Sequence, residues 1–204
     1  SFRNCRFLGW QDTVFAGEAL TCNMKNLMLP KFFSSSSVPI EYPVLRNYFR
    51  DCYISGDVDF IFGPNVVFFD HCEIFSRKHH SESHAFITAA STPADQEFGL
   101  VFSHCRLTGD EEPASVYLGR PWRDYAKTAF VHCHMGEHIC PEGWQNWGKA
   151  RAEALCSYIE YANDGPGAGT DGRASFSKPL THPDLEEYYS RENVLAGDDG
   201  WSGL

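Results

Sequence analysis

A short pattern recurs five times along the chain: Phe-x-x-Cys, with Asn, Asp or His directly before the Cys. The copies begin at Phe2, Phe49, Phe69, Phe102 and Phe130, and their cysteines are Cys5, Cys52, Cys72, Cys105 and Cys133. Two residues after each Cys stands an apolar residue: Phe7, Ile54, Ile74, Leu107 and Met135. Alternate residues of a strand share a face, so each Cys and its apolar follower point into one core. The cysteines are spaced 47, 20, 33 and 28 residues apart. Self-similarity on that scale marks a solenoid. The units are strand-like and separated by Gly, Pro, Asn and Asp turns. The pattern therefore predicts an all-β chain, a right-handed parallel β-helix with one repeat per coil. Equivalent positions on stacked coils lie about 5 Å apart, too far for undistorted disulfides. The five repeat cysteines are expected to be free, stacked as a ladder of small hydrophobes. Cys22, Cys140 and Cys156 have no assigned place in the pattern.

The 47-residue spacing holds one coil plus an excursion. Residues 17–46, with Pro30, Pro39, Pro43 and the run Ser34 to Ser37, read as a long surface loop. From about residue 150 the pattern changes to a C-terminal coil and tail, 150–204, expected to pack along the solenoid. Lys149 to Tyr161 reads as a short helix or a last strand. Pro183 to Val194 reads as a helix with Asp184, Glu186 and Glu187 in its first turn. The chain begins inside the pattern, without Met. It is read as a single β-helix domain, 1–204, that lacks its N-terminal coils. With 27 acidic against 17 basic residues the net charge is −10. That balance argues against nucleic acid and against an anionic membrane surface as partners. No apolar run reaches the roughly 18 residues of a membrane helix.

Candidate chemistry follows from counting within the repeat. Asp12 lies seven residues after Cys5, and Asp59 seven after Cys52. If the coils stack in register, the two carboxyls occupy equivalent positions on one face. Paired carboxyls in different surroundings can divide the tasks of nucleophile and acid. The bland alternative is that Asp after a strand is a common turn residue. Asp59, however, sits in the apolar run Ile54-Ser55-Gly56-Asp57-Val58-Asp59-Phe60-Ile61-Phe62-Gly63, where an unpaired charge is costly. Arg120, in Leu118-Gly119-Arg120-Pro121-Trp122, is the natural partner, and Trp122 leaves a ring for a sugar. Gln11, beside Asp12, brings an amide donor suited to an oxyanion.

These segments resemble the pectin methylesterases (pectinesterases), the eighth family of carbohydrate esterases. Ile54–Gly63 follows the family's Asp signature, with Asp57 where Thr or Ser is common. Gln11-Asp12-Thr13 and Leu118–Trp122 match two further segments. Pro141-Glu142-Gly143-Trp144, and Glu160-Tyr161 followed by Gly165-Pro166-Gly167-Ala168, complete the order. The resemblance implies hydrolysis of galacturonate methyl esters in pectin, with Asp59 as nucleophile and Asp12 as general acid, then base. It implies Gln11 as an oxyanion donor and Arg120 as the residue orienting Asp59. Trp122 and Phe62 would be sugar platforms, with Val58 and Tyr125 lining the same cleft. It implies no cofactor and no metal, a polysaccharide partner, a monomer and secretion, with a cytoplasmic enzyme acting on imported oligosaccharides as the alternative.

Departures from the family set further expectations. The family carries a second oxyanion Gln in coils before the Gln-Asp-Thr segment, outside this chain. The loop at 17–46 is longer than in plant relatives. By strand alternation Asp57 should face the same side as Asp59 and raise its pKa. Trp144 and Trp147 are expected to pack rather than bind sugar, and Phe68, Phe69 and Phe75 to lie in the coil core. The histidines are expected at the surface or in turns. No Cys-x-x-Cys is present, and His132 and Cys133 face opposite sides of a strand, which argues against zinc. Two other functions remain open to such a chain: an esterase or thioesterase acting on another acyl substrate, and a non-catalytic polysaccharide-binding solenoid.

Overall fold

The residue before each repeat cysteine has a left-handed backbone: φ is 52° at Asn4, 51° at Asp51, 53° at His71, 54° at His104 and 53° at His132. Asn, Asp and His tolerate this conformation better than other side chains do. That is why those three residue types occupy the slot. Each such residue turns the chain through a corner, and the coil continues on a new face.

The computed structural model describes residues 1–17, 45–78, 84–179, 184–201 and 203. Its strands, numbered along the chain, form three parallel sheets. The first holds β1 (Phe2–Arg3), β4 (Arg46–Arg50), β7 (Val66–Asp70), β10 (Leu100–Ser103), β13 (Lys127–Val131), β15 (Ser157–Tyr161) and β16 (Lys178–Pro179). The second holds β2 (Arg6–Leu8), β5 (Tyr53–Gly56), β8 (Glu73–Ser76), β11 (Arg106–Gly109) and β14 (His134–Met135). The third, which carries the candidate chemistry, holds β3 (Val14–Phe15), β6 (Val58–Gly63), β9 (Ala85–Ala90) and β12 (Val116–Gly119). The architecture is the right-handed parallel β-helix that the repeat predicts.

The repeat residues stack in register. Phe2, Phe49, Phe69, Phe102 and Phe130 pair in sequence across the first sheet. Their rings stack 4.9, 4.9, 4.4 and 4.5 Å apart, each pair adding about 0.5–1.5 kcal/mol beyond burial. The cysteines form the expected ladder, and all seven described cysteines are free. Three of the ladder thiols also point at the previous coil: Cys72, Cys105 and Cys133 donate to the carbonyls of Phe49, Phe69 and Phe102 at 3.4–3.5 Å. Cys22 lies outside the described residues, as does most of the loop at 17–46.

The next coil carries the pattern in altered form. Glu160 occupies the Phe position, in register with Phe130, and Ala162 takes the left-handed corner at φ 50°. Asn163 replaces the Cys, and its side-chain N–H donates to the Phe130 carbonyl at 3.0 Å. Buried Glu160 is held by Arg173 (2.9 and 3.1 Å) and by the Trp144 indole N–H (2.9 Å). Trp144 stacks on Tyr158 at 4.1 Å and so serves packing, as expected.

Both readings of Lys149–Tyr161 hold in part: α1 (Ala150–Leu155) leads into β15. The tail covers the outer face of the first sheet, where Val194 and Leu195 bury against Tyr48, Val66, Phe68 and Val101. Two expectations need correction. The tail helix is two single turns, α2 (Leu185–Tyr188) and α3 (Arg191–Val194), because extended Ser190 breaks the helix and caps the second turn through Asn193 N–H. Phe69 is in the coil core, but Phe68 faces outward beneath the tail and Phe75 is half-buried beside Tyr53. Among the described residues the histidines lie at the surface or in turns, as expected, although His138, in its turn, is only 3% exposed. His71, His104 and His132 stack ring on ring outside the first sheet, at 5.0 and 5.1 Å.

Candidate active site

Asp12 and Asp59 both adopt left-handed backbones, φ 57° and 49°. Asp12 N–H donates to the Val58 carbonyl at 3.1 Å. Just beyond, Val14 pairs with Ile61 and Phe15 with Phe62. The two aspartates therefore occupy equivalent positions on successive coils, as the count from each Cys predicts. Gly63 closes this stretch at φ 126°, and any side chain there would run into the Ala16 backbone.

Asp59 is buried, with a side chain 7% exposed. Arg120, just past the end of β12, meets it with two parallel bonds: Nε to Oδ1 at 2.9 Å and an Nη to Oδ2 at 2.7 Å. The guanidinium itself is clamped between two rings, its carbon 3.8 Å from the centroid of Phe86 and 3.8 Å from that of Trp147. Arg120 thus has little freedom, and its fork fixes the plane of the Asp59 carboxylate.

Burial pushes the Asp59 carboxyl above its ordinary range, and the bonds and charge of Arg120, with the charge of Lys149, pull it back. The two-point pairing requires the ionised form. Asp12 stands at the surface. Its carboxyl is also raised, first by partial loss of water and then by the negative charge of Asp59, with Arg120 opposing. The pair divides as paired carboxyls do: one is tied to an arginine, the other has no side-chain hydrogen bond among the described residues and is disposed to hold a proton.

Gln11 is exposed next to Asp12. Phe62 and Trp122 are half-buried and meet edge to face at 5.7 Å. Val58 is half-buried and pairs with Phe86 on the next strand. Tyr125 is half-buried five residues beyond Arg120, and nothing in the geometry joins it to the others. Asp57 departs from expectation. The left-handed turn at Asp59 and a register shift between Val58 and Ile61 break the alternation, and the Asp57 carboxylate caps its own chain, accepting from Val58 N–H at 2.7 Å. The charges acting on Asp59 are Arg120 and Lys149 instead.

Sequence reasoning missed three participants. Phe86 and Trp147 form the Arg120 clamp, so Trp147 packs as expected, but on the site's own cation. Lys149 was invisible as a site residue. Its ammonium donates to the carbonyls of Pro121 and Trp122 at 2.7 and 3.0 Å. The signal available was its position two residues after Trp147. Together the arrangement offers a fixed carboxylate, a neighbouring proton carrier, an exposed amide and aromatic faces. That set suits acyl transfer through a carboxylate nucleophile.

The chain matches the pectinesterase family model over residues 42–198. It is 35% identical to Pectinesterase 31 of Arabidopsis thaliana over 181 residues, 88% of this chain and 47% of that protein. It is 29% identical to Pectinesterase 2 of Citrus sinensis, covering 97% of this chain and 35% of that one. The chain thus spans less than half the length of either relative. Among solved structures, the pectin methylesterase from carrot superposes with a TM-score of 0.77 at 26% identity, covering 96% of this chain and 56% of the other. A pectin methylesterase from Aspergillus niger gives 0.69 at 26% identity, covering 94% and 52%.

Proposed function

The chain belongs to the pectinesterase family, and from that premise we propose that the protein containing it hydrolyses methyl esters of galacturonate units in pectin. The observation that carries the reading is the buried Asp59 carboxylate, held at two points by Arg120, with Asp12 at the equivalent position on the previous coil. Asp59 attacks the ester carbonyl carbon, and Gln11 donates to the oxygen that becomes negative. As the tetrahedral species collapses, the bond to the methoxy oxygen breaks and Asp12 gives that oxygen its proton. Methanol leaves, and the galacturonyl group remains on Asp59 as an anhydride. Asp12, now ionised, takes a proton from water as the water attacks the galacturonyl carbon. The bond to Asp59 breaks, Asp59 is regenerated, Asp12 is again protonated, and the product acid departs as a carboxylate after giving its remaining proton to solvent.

Trp122 and Phe62 supply faces for the sugar rings and Val58 lines the same cleft, with Tyr125 assigned to it only by its place three residues after Trp122. No cofactor enters these steps. Pectin is an extracellular polymer, so the reading carries secretion with it, and the enzyme acts as a monomer.

Methanol release from highly methyl-esterified homogalacturonan, measured on the full chain that contains these residues, tests the reading. The parent should release methanol, and Asp59→Asn should lose at least about 10³ of the rate while remaining folded. A folded parent that releases none refutes the pectin reading.

A further inference from the structure

Lys149 lies between Trp147 and α1, outside the segments that carry the candidate chemistry in the sequence. Two of its three N–H donors are used on consecutive carbonyls, those of Pro121 and Trp122. Those peptides directly follow Arg120, so the ammonium pins the chain that carries both Arg120 and Trp122. Its nitrogen also lies 4.6 Å from the centroid of Trp147, the ring that covers one side of Arg120. Lys149 therefore touches the strand end bearing Arg120 and the turn bearing the ring clamped upon it.

We propose that Lys149 is a positioning residue for the Asp59–Arg120 pair: its ammonium locks the Pro121–Trp122 backbone against the Trp147 turn and sets a second positive charge beside the buried carboxylate. The proposal rests on the esterase reading for its kinetic consequences but not for its geometry. The charged and titratable groups around Asp59 are Arg120 at the end of β12, Lys149 before α1, Asp12 before β3 and Tyr158 in β15. Around Lys149 stand Arg123, Asp124, Arg120 and Asp59. Burial and the two arginines hold the ammonium below the usual lysine range, with Asp124 and Asp59 opposing. Such a position makes Lys149 costly as a mere strut, because a neutral donor would satisfy the same carbonyls without burying charge.

Three variants of the full chain separate the tie from the charge. Lys149→Gln keeps a donor and loses the charge, Lys149→Met loses both, and Lys149→Arg keeps the charge. The readouts are the pH profile of kcat and kcat/KM for methanol release, and the titration of the Asp59 carboxyl by carbon-13 NMR. In Lys149→Gln the acid limb should move up by about half to one pH unit, so that kcat/KM on that limb falls about three- to tenfold. Lys149→Arg should restore the limb. Lys149→Met should show the same displacement with a further loss of kcat, and if it fails to fold, Lys149→Gln alone decides. An unmoved limb and an unmoved Asp59 titration in Lys149→Gln overturn the proposal, even if the rate drops equally at every pH. A parent that releases no methanol would refute the esterase reading instead, and the Asp59 titration would still decide the place of Lys149.

Discussion

His138 sets a limit on how acidic a medium this fold withstands. The ring is 3% exposed, its Nε2 has no partner among the described residues, and it packs against the backbone of Gly109 and Gly136. Burial pulls its pKa from the ordinary 6.5 down to about 4. The unfolded chain therefore takes up the proton first. His138 leaves stability untouched above about pH 6.5, and stability is lost as pH falls from there toward 4. At 1.36 kcal/mol per pH unit, that window is worth about 3 kcal/mol, a large share of a typical 5–15 kcal/mol. The perturbation is His138→Leu, which removes the titration and the orphaned nitrogen together. Urea unfolding followed by circular dichroism at pH 7 and pH 4 would compare variant and parent. Both lose stability as their carboxylates protonate, but the parent should lose about 3 kcal/mol more. Equal losses in the two proteins would refute the reasoning, whatever the absolute stabilities.

Other consequences can be checked directly. Arg120→Lys keeps a charge but gives up the fork and the ring clamp, so methanol release should fall about 10²-fold or more with the fold retained; near-parental activity would break the link between fork and function. Arg173→Met should cost about 3–5 kcal/mol in urea unfolding, because it strands the Glu160 carboxylate among buried rings. Reductant should leave the melting temperature unchanged, and the cysteines buried in the ladder should react with a thiol reagent only after unfolding. The net charge of −10 should make activity fall as the substrate loses its methyl groups, and added salt should soften that fall.

The coil architecture was legible because one short pattern repeats with an unchanging strand–corner–strand path, and a fixed count from Cys carried Asp12 and Asp59 to equivalent places. Arg120 was legible from the cost of burying Asp59 alone. What stayed hidden depends on contacts between distant segments. Nothing local marks Lys149 as the anchor of Pro121 and Trp122, or Trp147 as the lid on Arg120. The coil of Glu160 and Asn163 escaped the pattern because different atoms make its contacts: an amide donates where a thiol did, and an ion pair stands where a phenyl ring did. Asp57 misled because alternation assumes a regular strand, and a left-handed residue two places on removes that premise.

The corner between the first and second sheets has two residues in every coil that makes it: Asn4-Cys5, Asp51-Cys52, His71-Cys72, His104-Cys105 and His132-Cys133. The other two corners vary widely in length. Among the described residues they range from Asp57 alone to residues 110–115 on one side of the third sheet, and from Pro64-Asn65 to residues 91–99 on the other. Both of these adjustable corners flank the face that bears Asp12 and Asp59. An engineer wishing to graft new loops has a rigid spine on one side and permissive junctions on the side where a polymer would lie. Substrate range could be reshaped by insertion there without disturbing the spine.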